Sequence, residues 1–407
     1  MIKIHMFQAG YGDSLLVQVI EEEKETVNIM IDCGFHYKEN IKPNLERLLK
    51  DQVINRFIIT HYDSDHIQSA AKFLEENGSY NSEKIVHIEQ IWLNTYKHIQ
   101  FSKRNSEKLK TEEKNKIENY ISEISSKSIT ENNEGNIGAK QATILGKTIL
   151  DKKYPWNIDT NNEAICIENF KKINIADDVT LHLLSPNKKR LQNLEDKFIS
   201  ELKKIGLTPN ADTIFDDAFE YFNMLNEKEN NNESDISSYS LPDINSKSIK
   251  LLSKGKKYEK DDAIGNGSSI SFILETATQR LLFLADSISE DIIEELKKKY
   301  LDKSKYPIFF DAIKISHHGS FKNNSPELFK IIDSSNFLFS TNANHPRGHK
   351  HPDIDTICCV INRALPNEVL KRNLIFNYDL EHLKDFENDD LKNEFNYEIK
   401  KQVETKI

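Results

Sequence analysis

The chain has 407 residues, with 65 acidic against 55 basic side chains and a net charge of -10. That balance excludes a protein that coats nucleic acid nonspecifically, and no run approaches the ~20 apolar residues a membrane helix requires. The 4 cysteines are scattered apart from adjacent Cys358 and Cys359, which bridge poorly. The expected setting is therefore a reducing cytoplasm, with no disulfide framework and no membrane.

In chain order, the opening Met1–Phe7 lacks the apolar stretch of a signal peptide and reads as a first strand, followed by the turn Gly10–Tyr11–Gly12–Asp13–Ser14. Asn28–Ile29–Met30–Ile31 is a short β-like run ending on Asp32, with Cys33 beside it as a small packing residue. The apolar run Phe57–Ile58–Ile59 then delivers Thr60–His61–Tyr62–Asp63–Ser64–Asp65–His66. Four potential metal ligands in six residues, on a loop leaving a strand, suit a pair of cations that activate a hydrolytic water. A polar loop with helix-capping acids is the plainer alternative. A helix is expected from His66 through Ala70, Ala71, Phe73 and Leu74.

Residues 102–136 turn polar, with apolar spacing at Leu109, Ile117, Tyr120, Ile121 and Ile124 that predicts an exposed or partner-facing helix. The strand pattern returns at 175–186. Leu191, Leu194, Phe198, Leu202 and Ile205 fall at helical spacing before Gly206, and 226–248 resembles a mobile linker or lid. Basic runs at Lys188–Lys189–Arg190 and between Lys247 and Lys260, including Lys256 and Lys257, are candidates for a phosphate-attracting rim. Few aromatics interleave with them, so the sequence gives little sign of a stacking platform. Further along, Arg280–Ala285 closes on Asp286, and Ala312–Ser316 closes on His317–His318–Gly319–Ser320. Ser325–Pro326–Glu327 opens a helix well. The segment from about Glu381 is acidic, with no assignable chemistry.

These residues resemble a metallo-β-lactamase-fold hydrolase, most of all the nuclease-type domain of the ComEC DNA-uptake protein. The resemblance rests on the H-x-D-x-D-H loop, Gly10–Ser14, Leu184–Ser185–Pro186, Asn266–Gly267–Ser268–Ser269, His317–Ser320 and Gly348–His349–Lys350–His351–Pro352. It covers roughly 1–98, 175–186 and 263–365. It implies an α/β fold, an αββα four-layer sandwich, with the halves at 1–98 and 263–380 and a core strand at 175–186. Two insertions, 99–174 and 187–262, would lie near the mouth of the site, and an acidic segment, 381–407, would follow.

The resemblance also implies two divalent cations, zinc or manganese. His61 and Asp63 would sit on one and Asp65 and His66 on the other, with Asp286 bridging. One of His317 and His318 would complete the second site. His318 is favoured as ligand and His317 as the residue meeting substrate, and the reverse stays open. Asp65, His317 and His351 would carry catalysis, Ser320, His349, Lys256 and Lys257 would meet substrate, and Asp13 and Asp32 would orient ligands from beneath. Two departures matter. Asp63 stands where the superfamily usually has His, which shifts preference toward manganese or iron. A further loop histidine also has no clear counterpart, since His87 and His98 read as ordinary surface or core residues. The expected function is metal-dependent phosphodiester hydrolysis, most naturally of nucleic acid, by a hydroxide held between Asp286 and the metals. The alternatives are a hydrolase of a small phosphoester, cyclic nucleotide or lactone, and the effector subunit of a defence or signalling assembly whose partner protein docks on 99–174.

Overall fold

Most of the short apolar runs pair into two large sheets, buried on both faces near their centres. The computed structural model describes residues 1–21, 24–100, 109–129, 145–210, 214–232, 243–346, 348–366 and 369–407. The first sheet contains β1 (Ile2–Met6), β2 (Leu15–Val19), β3 (Val27–Ile31), β4 (Arg56–Ile58) and β5 (Ile91–Trp92), with β14 (Glu404–Lys406) on the outer edge beside β1. The second contains β6 (Lys172–Ala176), β7 (Val179–Ser185), β8 (Ser271–Glu275), β9 (Arg280–Phe283), β10 (Ala312–Lys314), β11 (Asn336–Phe339), β12 (Arg372–Phe376) and β13 (Tyr397–Lys401), side by side in that order.

Alternate residues of each strand enter different apolar clusters, as the pleat requires. Ile29 and Ile31 of β3 join Leu281 and Phe283 of β9 in one cluster shared by the two sheets. Met30, between the first pair, turns to a cluster with helical residues such as Phe73 and Leu74. Leu282, between the second pair, turns to a cluster with Ile292 and Leu296 of helix Ser289–Lys299 and with Ile357 of helix Ile354–Ile361.

Strand direction then gathers the chemistry. β3, β4 and β5 run parallel, as do β9 through β13. The loops leaving the C-terminal ends of β3, β4, β9 and β10 carry Asp32, His61–His66, Asp286 and His317–His318, and they reach one edge of the paired sheets. In parallel α/β sheets that edge is where ligands bind.

Three expectations change. Helix Thr111–Ile129 is not a free face: Ile117 is fully buried, with Tyr120 and Ile121 packed against the same cluster, and its neighbour is helix Ile214–Asn232. The described part of its apolar stripe is therefore occupied within the chain, while its polar side is exposed; Ile124 and all of 130–144 lie outside the described side chains. Of the expected lid at 226–248, residues 226–232 are helical, 233–242 lie outside the described residues, and Asn245 caps a helix at Ser246–Leu252. The acidic tail belongs to the sheets, with β13 extending the second and β14 pairing β1.

The insertions pack on each other around Glu220. Its carboxylate accepts the Leu145 and Gly146 N–H groups at 2.9 and 3.2 Å, satisfying donors that a helix start leaves open. Burial pushes this carboxyl up to about 7 against those two bonds, helped by the charges of Asp217 and Asp216. The folded state therefore holds the proton more tightly than the unfolded chain, whose value is near 4.5, so this group's contribution to stability falls as pH rises from 4.5 to about 7. Glu220→Gln is expected to gain on the parent across that window, by about 3 kcal/mol at its upper end, and to gain nothing more above it. The amide facing one N–H adds a pH-independent loss at every point. Urea unfolding of both proteins across that range checks the slope.

Candidate metal centre

Thr60, just past β4, sets the first donors. Its hydroxyl donates to Asp32 Oδ2 at 2.9 Å, so the contact with His61 Nδ1 at 3.0 Å is one in which the imidazole N–H donates. That leaves His61 Nε2, fully buried and without a hydrogen-bond partner, as the ring atom facing the acids. Asp32 follows β3 in the left-handed region (φ 57°), which Asp adopts more readily than most residues. Its Oδ1 accepts the Thr60 N–H at 2.7 Å and its Oδ2 accepts from His66 Nδ1 at 2.8 Å. His66 Nε2 is likewise buried without a hydrogen bond.

His317 and His318 both take left-handed backbone angles, φ 45° and 52°, which splays consecutive imidazoles. His317 Nδ1 meets Asn323 Oδ1 at 2.8 Å and its Nε2 lies 3.6 Å from Asp286 Oδ2. His318 Nδ1 meets the Ser340 carbonyl at 2.7 Å and its Nε2 lies 2.9 Å from Asp65 Oδ2. Four imidazoles thus have Nδ1 tied to an acceptor and Nε2 turned toward a carboxylate, the presentation a divalent cation needs from histidine. Sequence left the choice between His317 and His318 open; the structure presents both.

Asp286 lies among three of these rings. Its Oδ2 is 3.4 Å from His66 Nε2, 3.6 Å from His317 Nε2 and 3.9 Å from His61 Nε2, while Oδ1 is buried without a partner. Two groups have ligand atoms within 4.8 Å of one another: His61, His66 and Asp286, and Asp65, His66 and His318. These buried His and Asp groups could hold a metal ion. The donor set fits one, because orphaned Nε2 and carboxylate atoms in a dry setting cost free energy unless a cation satisfies them. Asp13, Asp32 and His66 form a third group, but Asp13 Oδ2 accepts from Lys314 Nζ at 2.7 Å and Asp32 is spent on Thr60 and His66. Those two acids orient and neutralise.

Asp63 stands apart from the tight groups, half-buried, with Oδ2 3.5 Å from His61 Nε2. Gly265 crosses it so closely that a Cβ there would fall 3.2 Å from Asp63 Oδ1. Ser320 is buried and its N–H closes the turn onto the His317 carbonyl, so its backbone shapes the histidine pair. His351 lies 5.4 Å ring to ring from His317, and His349 follows 6.4 Å beyond it. Lys256 and Lys257 are exposed; the Lys257 charge opposes the upward push that burial and then Asp353 exert on Asp355. The other basic run is structural at Arg190, whose guanidinium pairs with Asp291 at 2.6 and 2.9 Å.

No protein-family model and no curated protein matches this chain. Function must therefore be argued from the donors themselves.

Their electrostatics is that of a charge-balanced cluster. Burial works against ionisation throughout, yet His66, then His318, hold the Asp65 carboxyl below the usual range. His66 and His317 do the same for Asp286. Conversely, burial would lower His66 and His317, but Asp286 leads the charges that raise both. His61 is raised chiefly by Asp63, against burial and the His66 charge. A cation would displace the protons these imidazoles share with the acids, so metal affinity should rise with pH.

The ordinary reading of His87 and His98 agrees with the structure. His98 is buried against Trp156, accepts the Thr95 N–H at 3.2 Å and is pushed well down by burial and by Lys97. His87 meets Glu83 at 3.0 Å. Cys33 is buried, its thiol pushed up by burial and by Asp32, which suits packing. Sequence reasoning missed Thr60, Lys314, Asn323 and Asp261, whose Oδ2 accepts from the Asn323 side-chain amide at 2.7 Å. Lys314 had a signal, a lone charge inside the apolar run Ala312–Ile315. Asn323 and Asp261 had none, being placed only by the fold.

Asp32→Asn tests the orienting role. The amide can accept from Thr60 or from His66, but it places an N–H against the other donor. Metal affinity is expected to fall about 10–100-fold with the fold intact, as read by calorimetric titration with manganese.

Proposed function

We propose that this chain is a metal-dependent phosphodiesterase of metallo-β-lactamase type, acting on nucleic acid. The observation that carries the proposal is the convergence of four Nε2 atoms with Asp65 and Asp286 at the C-terminal edge of two stacked sheets. The three apolar clusters, one between the sheets and one between each sheet and helices, support the four-layer αββα reading. His61, His66 and Asp286, with Asp63 and His317 alongside, would hold one cation; Asp65 and His318 would serve a second, since His66 has only Nε2 free and can ligate one of the two. Bound divalent cations would supply Lewis acidity, lowering the pKa of a water and neutralising charge on a phosphoryl group.

The protein's own part is orientation. Asp32, Thr60, Asn323 and Ser340 fix the ring planes, and Asp286 serves three imidazoles at once. His351, 21 % exposed and 3.5 Å from Asp353 Oδ1, is placed beside His317 to hand a proton to a leaving oxygen. The carboxylate of Asp63 shifts the preference from zinc toward manganese or iron, while the imidazoles keep the set open to zinc.

The test is hydrolysis of labelled single- and double-stranded DNA and RNA with added manganese, comparing the parent with Asp65→Ala and measuring bound metal in both. Manganese-dependent cleavage that disappears in the variant is the expected result. Bound metal without cleavage of any nucleic acid would shift the reading to a small phosphoester. Absence of metal from both proteins after manganese loading would overturn the centre itself.

A further inference from the structure

One carboxylate of the second insertion reaches the edge of the metal donors. Asp261, the penultimate residue of that insertion, is 7 % exposed and accepts three N–H groups. Oδ1 takes that of Ala263 at 2.9 Å, and Oδ2 takes the side-chain amides of Asn266 and Asn323 at 2.7 Å each. Its own N–H donates to the Lys322 carbonyl at 3.1 Å, so Asp261 is tied to both loops from which those amides come. Asn323 is buried, and its Oδ1 meets His317 Nδ1 at 2.8 Å. A side-chain amide can stand either way round, and its neighbours decide which. Here Nδ2 faces the Asp261 carboxylate at 2.7 Å and the Asp286 backbone carbonyl at 3.1 Å, both acceptors, so Oδ1 is the atom turned to His317. His317 Nδ1 therefore carries a hydrogen whether the ring is neutral or charged. Its Nε2, 3.6 Å from Asp286 Oδ2, is the nitrogen that can yield a proton to a cation.

We infer that Asp261 is a positioning residue of the candidate centre: through Asn323 it holds the His317 ring with hydrogen on Nδ1 and Nε2 presented to the place of the cation. The inference rests on the metal-centre reading and goes beyond it by assigning a role there to a residue of the second insertion that is itself no ligand. The competing arrangement is close at hand. Asn266 Nδ2 is 3.4 Å from His317 Nδ1, within reach of donating to that nitrogen if it lost its hydrogen. While Asp261 is in place, the Asn266 amide has a carboxylate acceptor at 2.7 Å, and Asn323 cannot turn over without setting its own carbonyl oxygen against that carboxylate. A bond to a charged acceptor is about twice as strong as one between neutral groups, so the carboxylate outcompetes the imidazole for both amides. Without it, two buried amides lose their acceptor, and the Nδ1 lone pair is the next one within reach of Asn266. Hydrogen then moves to Nε2, the atom a cation needs bare.

The experiment uses the full chain with isotopically labelled histidine, whose nitrogen chemical shifts distinguish the two neutral tautomers; a His317→Gln spectrum identifies the resonances of that ring. Spectra are taken without metal, at a pH high enough for the ring to be neutral, and manganese affinity is measured by calorimetry on the same proteins. These are the parent, Asp261→Ala, Asp261→Asn and Asp261→Ala/Asn323→Asp, each checked for folding by circular dichroism. Asp261→Ser, which can still accept an N–H, takes the place of Asp261→Ala in both if the latter does not fold. The parent is expected to show the Nδ1–H form. Asp261→Ala should populate the Nε2–H form and bind manganese about 10–100-fold more weakly. Asp261→Asn should stay nearer the parent, because its carbonyl oxygen can keep both amides while its amide nitrogen opposes only the Ala263 N–H. The carboxylate introduced by Asn323→Asp offers His317 an acceptor whichever way it turns, so the double variant should recover the Nδ1–H form, which a loss due only to looser loop packing would not allow. An unchanged tautomer or unchanged manganese affinity in Asp261→Ala, or no recovery in the double variant, would overturn the role of Asp261 and leave the centre standing. No manganese binding by the parent would overturn the centre and the positioning role with it.

Discussion

Asp286→Ala is expected to remove bound manganese and hydrolysis together. Among the described residues, Asp286 is the one carboxylate that approaches His61, His66 and His317 at once, at 3.9, 3.4 and 3.6 Å, and its side chain is almost wholly buried. Losing it takes a ligand from the centre and the counter-charge from two imidazoles, so the loss of metal affinity should exceed the ~10–100-fold of an outer-shell change such as Asp32→Asn. Metal content after dialysis and initial rates on labelled nucleic acid give the readout. Thermal unfolding adds a second. The parent should gain about 4 kcal/mol at a manganese concentration a thousandfold above its dissociation constant, and the variant almost nothing. The metal-free variant should also be less stable than the metal-free parent at neutral pH. The parent's Asp286 carboxyl is held below its ordinary 3.8, so its contribution is present above that pH and lost as pH falls through the lowered value. Full metal retention and full rate in Asp286→Ala would remove this residue from the centre.

Lys314→Met is the substitution expected to cost most in folding. Lys314 Nζ donates to Asp13 Oδ2 at 2.7 Å and to the Ile315 carbonyl at 3.3 Å, and both charged side chains are 2 % exposed. Burial pushes the Asp13 carboxyl up, and the Lys314 ammonium leads the charges that outweigh burial and hold it down, ahead of His318 and His66. With Met at 314 the lysine stem is replaced at similar size but Asp13 is left a buried, poorly compensated acid. Breaking such a pair from one side costs about 3–5 kcal/mol. A second change, Asp13→Asn in the Lys314→Met background, should recover a large part of the loss, because it removes the orphaned charge. Urea unfolding of the two single variants, the double variant and the parent gives the coupling directly. Additive effects would mean that the contact contributes nothing beyond its two residues separately.

These two predictions draw on different sources. His61, Asp63, Asp65 and His66 were legible because they are neighbours in sequence, and a strand followed by a tight loop dictates the sides on which their side chains leave. The strands themselves were legible as local apolar runs, whereas their arrangement in two sheets was implied only by the resemblance. Asp286 could be singled out by its place at the end of an apolar run, though nothing local said that three imidazoles would surround it.

The rest required the tertiary structure. Asp32 meets Thr60 across 28 residues, His318 meets Asp65 across 253 and Lys314 meets Asp13 across 301. The apolar stripe at 111–129 looked like a surface for a partner because periodicity says only that a face is apolar, and helix Ile214–Asn232 is what packs on its described part. The two histidines of the 317–318 pair have the same local sequence environment, and only the acceptors Asn323 and Ser340 show that each turns Nε2 inward. Sequence by itself determined the ligand types and the strands that carry them, because both are set by covalent neighbours. Tertiary structure alone decided ring orientation and charge compensation, because each depends on groups that the chain brings together only when both sheets are formed.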